Sequence, residues 1–91
     1  TSLALRPKYA LNWYNLGISL NEAGDFDAAV PCFRESVRVD PNLALGHGGV
    51  GYAANVRGDY AAGAAAYRES VRLAPRYTAA RRGLAYSLRQ L

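Results

Sequence analysis

Three prolines, Pro7, Pro41 and Pro75, stand 34 residues apart, and the residues between them keep the same step. Arg34-Glu35-Ser36-Val37-Arg38 returns as Arg68-Glu69-Ser70-Val71-Arg72, Gly24-Asp25-Phe26 returns as Gly58-Asp59-Tyr60, Gly17 as Gly51, and Phe33 as Tyr67. A period of this length constrains the fold more than any other feature of the chain. A unit of some thirty residues cannot bury an apolar face alone, so copies must stack on one another and share a core.

Each unit carries two stretches of helical spacing, an A helix and a B helix, separated by a Gly-Asp pair. The glycine breaks the first helix, and the aspartate caps the second by accepting from its free N–H groups. The spacing predicts helices over 10–22, 27–39, 44–56, 61–73 and 78–90, with Ala80, Leu84 and Leu88 as an apolar stripe on the last. The fold class is therefore all-α, an α-solenoid of antiparallel hairpins. Trp13 is expected between helices A and B of the first unit, and Pro31, one turn into a B helix, is expected to kink it. Hydrophobic residues make up 51% of the chain but lean on alanine, which calls for close helix packing.

Trp13, Leu16, Gly17, Gly24, Ala29, Phe33 and Pro41 fall at spacings that resemble the tetratricopeptide repeat family. Read this way, residues 1–9 are the end of a preceding repeat, 10–43 and 44–77 are repeats, and 78–91 is a terminal helix. The second unit departs from the pattern with His47, Val50, Ala54 and Gly63 at the places of Trp13, Leu16, Leu20 and Ala29, which makes its A helix the weaker one. The resemblance implies a right-handed superhelix whose concave face is lined by A helices and takes an extended peptide or partner segment. Carried over residue by residue, the groove-facing sites are Leu11, Tyr14, Asn15 and Ile18, then Leu45, Gly48, Gly49, Tyr52 and Asn55, then Arg82, Tyr86 and Arg89, and all of these but Leu45, Gly48 and Gly49 form the expected peptide-binding set. The lysine, arginine and asparagine clamp by which some members hold two carboxylates is matched here only by Asn15.

Little else in the chain points to chemistry. Gly46-His47-Gly48-Gly49-Val50-Gly51 fits a dinucleotide-binding pattern, but that pattern needs a preceding strand, and the repeat places the run inside an A helix. Its extra glycines are read as drift, or as room for a bulky ligand side chain. His47 and Cys32 are the only histidine and cysteine, too few for a metal cluster or a Cys–His pair, and neither a catalytic group nor a cofactor is expected. Asp25 and Asp59 read as caps, and Glu35 and Glu69 as partners of Arg38 and Arg72.

The formal charge of +4 is carried almost wholly by arginine and spread along the chain. Nucleic acid is thus not the expected partner, although Arg76, Arg81, Arg82, Arg89, Tyr77 and Tyr86 offer the groups RNA would need. No membrane segment or disulfide framework is present in the sequence, and a cytoplasmic setting is the default expectation. The expected role is a protein-interaction scaffold. The alternatives are an assembly module that self-associates end to end through imperfectly capped termini, and an accessory module of a larger enzyme.

Overall fold

The computed structural model describes residues 2–91, with side chains from Lys8 onward. Five helices follow one another: α1 (Ser2–Glu22), α2 (Phe26–Val39), α3 (Ala44–Val56), α4 (Tyr60–Leu73) and α5 (Thr78–Gln90). No strand occurs among the described residues. Helix α1 packs on α2, α3 on α4, and α5 on α4, while α3 also touches α1, α2 and α5, so the A helices stand side by side.

The two Gly-Asp breaks are built alike. Gly24 and Gly58 take φ of 87° and 84°, a region open to glycine at no steric cost. The amides of Asp25 and Asp59 close back on the Leu20 and Ala54 carbonyls at 2.8 and 2.9 Å. Each aspartate then caps the following helix, accepting from the Ala28 and Ala62 amides at 3.2 and 3.3 Å. Each hairpin is also tied at its open end by a serine. Ser36 Oγ donates to the Ala10 carbonyl, and Ser70 Oγ to the Ala44 carbonyl, both at 2.8 Å. Glu35 pairs with Arg38, and Glu69 with Arg72, on the exposed sides of α2 and α4.

The core is organised around the repeated aromatic. Phe33 is fully buried, and a methyl at Gly17 of α1 or Gly49 of α3 would stand 2.7 or 2.3 Å from its ring. Tyr67 sits the same way between Gly51 of α3 and Gly83 of α5, at 2.7 and 2.2 Å. Each ring thus fills the notch between two successive A helices, and glycine is the only residue that leaves the ring room. The glycines of 46–51 are therefore required by packing and are not drift: Gly46 faces Ser36, Gly48 faces Tyr77, and Gly49 and Gly51 face the two rings.

Two expectations at the first unit are corrected. Helix α1 does not begin near residue 10 but runs unbroken from Ser2, so 2–9 continue the first A helix instead of ending a separate helix. The turn before α3 is held by Asp40, whose Oδ1 accepts from the Asn42 amide at 3.1 Å, and the turn before α5 by Tyr77 packed on Gly48. At the matching positions the sequence has Arg6 in place of the carboxylate of Asp40, and Tyr9 is exposed where Tyr77 is packed. Trp13, expected between helices, is 38% exposed. Its counterpart His47 shows why: the His47 Nε2–H donates to the Pro41 carbonyl at 2.7 Å, so this side of an A helix faces the turn before it, and α1 has none. Helix α2 continues through Pro31 to Val39.

Gly63 gives a test of this packing. A methyl there would stand 2.1 Å from Asn55 Oδ1 and 3.1 Å from Ser87 Oγ, two groups that hydrogen-bond each other at 2.7 Å. Alanine is worth about 1 kcal/mol over glycine inside a helix. Displacing a part-buried amide from its partner costs about 1–3 kcal/mol. Gly63→Ala is therefore expected to lower the urea midpoint, against the usual sign for this exchange in a helix. A raised midpoint would show that the notch is not needed.

Candidate functional site

One face of the molecule is concave and encloses about 710 Å³. Helix α1 supplies Tyr14, Ile18, Asn21 and Glu22 to it, and α3 supplies Gly48, Gly49 and Tyr52. Helix α5 closes the other side with Arg82, Tyr86 and Arg89, while Tyr67 of α4 and Tyr77 of the turn before α5 reach the floor from below. Tyr52 and Tyr86 stand 46% and 44% exposed on the rim, whereas Tyr67 is buried. Tyr14 turns its ring onto Phe33, 5.9 Å away and tilted, so it belongs to the core as well as the groove. Tyr86 meets Tyr60 edge-on at 5.9 Å.

Burial pushes the Tyr67 hydroxyl up to about 12, and the neighbouring Tyr77, Tyr52 and Tyr14 add to the shift. Burial likewise raises Tyr14 to about 12, with Tyr77 beside it contributing. Both hydroxyls stay neutral at physiological pH and can donate hydrogen bonds to a ligand's carbonyls. Between the ordinary tyrosine value of about 10 and the folded value, the folded chain keeps protons that the unfolded chain has lost, so stability falls as pH rises. Urea midpoints followed by circular dichroism should be flat up to about pH 10 and decline as the pH approaches 12. A midpoint that holds steady through that window would contradict the burial of these hydroxyls.

A family model described as tetratricopeptide repeat matches residues 14–78, which takes in most of the chain and both hairpins. The chain belongs to the tetratricopeptide repeat family. Repeats of this family are generally protein-interaction modules on a non-catalytic scaffold. No match was found among curated proteins. Among the described residues no helix is long and apolar enough to cross a membrane, and no three His, Cys, Asp or Glu side chains converge as a metal site.

Of the nine peptide-binding residues expected from the sequence, the tetratricopeptide groove gathers six, Tyr14, Ile18, Tyr52, Arg82, Tyr86 and Arg89, together with the expected groove-facing Gly48 and Gly49. Leu11 and Asn15 are exposed on α1 outside its lining. Asn55 lines a smaller adjoining cleft, and its carboxamide is already engaged, accepting from Ser87 Oγ at 2.7 Å and donating to the Gly83 carbonyl at 3.5 Å. Sequence reasoning missed Tyr67, Tyr77 and Asn21. Asn21 matches Asn55 in the repeat, yet its amide is buried with neither polar atom paired. At the places of Gly63 and Ser87 the first unit has Ala29 and Ala53, so the space and the hydroxyl that satisfy Asn55 are both missing.

Proposed function

We propose that this tetratricopeptide array is a scaffold that holds an extended segment of a partner protein in the groove between α1, α3 and α5. The observation that carries this reading is the groove itself. Its volume of about 710 Å³ is set by a rigid glycine-and-ring frame, and exposed tyrosines and arginines line it in place of a packed surface. Aromatic and arginine side chains in preformed concavities are the groups that dominate binding free energy. Enriching a displayed random-peptide library on the immobilised protein tests the reading: selected peptides should lose binding to the Tyr52→Ala variant. Peptides that bind that variant equally well place the ligand elsewhere.

A second reading rests on α1. Trp13 and Leu16 are 38% and 46% exposed, whereas Val50, which matches Leu16, packs against the core. A second copy covering this apolar pair would give a dimer that dissociates on dilution. Light scattering should then show mass rising above 9.8 kDa with concentration, and Trp13→Ser should remove the rise. A constant monomer mass at every concentration excludes this assembly.

A further inference from the structure

The groove is not uniform, and its asymmetry specifies a ligand class. After Glu69 the chain contains Arg72, Arg76, Arg81, Arg82 and Arg89 and no acidic residue. Two of these, Arg82 and Arg89, reach the groove; both are exposed, and among the described residues neither makes an ion pair. Seven positions apart on α5, they share one helix face about 10 Å apart along its axis. The remaining surface is mostly ring and hydroxyl, from Tyr14, Tyr52, Tyr67, Tyr77 and Tyr86, and its one carboxylate, Glu22, belongs to α1 and not to the arginine-bearing α5.

A complementary segment has to present two anions on one side at that spacing. In a β-extended chain the side chains alternate, so residues on one side lie roughly 7 or 13 Å apart, and neither distance matches. A polyproline II chain turns once in three residues and rises about 3.1 Å per residue, which puts every third side chain on one side about 9 Å apart. Its backbone makes no internal hydrogen bonds, leaving its carbonyls free to accept from neutral tyrosine hydroxyls, and its proline rings suit aromatic-lined grooves.

We propose that the groove recognises a proline-rich segment in the polyproline II conformation with acidic side chains three residues apart. Its carboxylates meet Arg82 and Arg89, and its prolines lie against Tyr52 and Tyr86. This rests on the groove being the binding surface at all.

Fluorescence anisotropy with short labelled peptides tests the proposal. Repeats of Pro-Pro-Glu should bind roughly tenfold or more tightly than repeats of Pro-Pro-Gln, and more tightly than equally charged repeats of Gly-Ser-Glu. The pair Arg82→Gln and Arg89→Gln should abolish the preference for glutamate over glutamine without moving the urea midpoint, since both side chains are exposed. Equal affinity for the three peptides overturns the proposal, as does an oligouridine RNA that binds the same arginines more tightly than Pro-Pro-Glu repeats. If those repeats fail while library-selected peptides bind through Tyr52, the ligand class falls and the groove stands. If no peptide binds in a Tyr52-dependent way, both fall.

Discussion

Phe33→Ala is expected to destabilise the array by about 3–5 kcal/mol, the range for removing a fully buried aromatic ring from a packed core. The loss falls at the upper end because the ring fills a notch between two helices: Gly17 of α1 and Gly49 of α3 both abut it, and the tilted ring of Tyr14 packs on it. Adding volume should also destabilise. Gly49→Ala puts a methyl 2.3 Å from the Phe33 ring and is expected to cost about 1–3 kcal/mol, although alanine favours the helix. The two changes should not add. With the ring gone the methyl has space, so Gly49→Ala introduced into Phe33→Ala is expected to raise stability, a reversal of sign that identifies direct contact. If Phe33→Ala leaves no folded baseline, the same cycle on Phe33→Leu reads the coupling. Additive losses in urea titrations would mean that ring and glycine do not meet.

The second large effect concerns binding. Replacing Tyr52 and Tyr86 together with alanine is expected to weaken a groove-selected peptide by about 2 kcal/mol or more, roughly thirtyfold, while the helical circular dichroism and urea midpoint change little. These two tyrosines stand on the rim and are nearly half exposed, so the fold does not depend on them as it does on Tyr14 or Tyr67. Tyr14→Ala should lower both affinity and stability, because its ring also packs on Phe33. Unchanged affinity in the double variant would move the ligand off this face.

The repeat step made the hairpins, the Gly-Asp breaks, the aspartate caps and most of the A-helix groove legible, because each rests on local chemistry recurring every 34 residues. What the sequence concealed depends on contacts between units. Gly49 and Gly83 look like weak helix positions until the rings of Phe33 and Tyr67 are seen against them. Tyr67 reads as core from its place on a B helix, yet its hydroxyl needs a polar outlet, and that requirement is the signal that could have placed it at the groove floor. Tyr77 matches Leu43 in the repeat and looks like turn filling. Trp13 was misplaced because the family pattern supplies a neighbouring turn that α1, running back to Ser2, does not make.

Backbone-amide chemical-shift mapping of the protein titrated with a library-selected peptide tests the central claim most directly. If the groove between α1, α3 and α5 holds the partner segment, the largest shifts fall on Gly48, Tyr52, Arg82, Gly83 and Tyr86, with Arg34, Arg38 and Arg68 on α2 and α4 nearly unmoved. Shifts concentrated on those B-helix arginines, or on Trp13 and Leu16 of α1, would contradict the account.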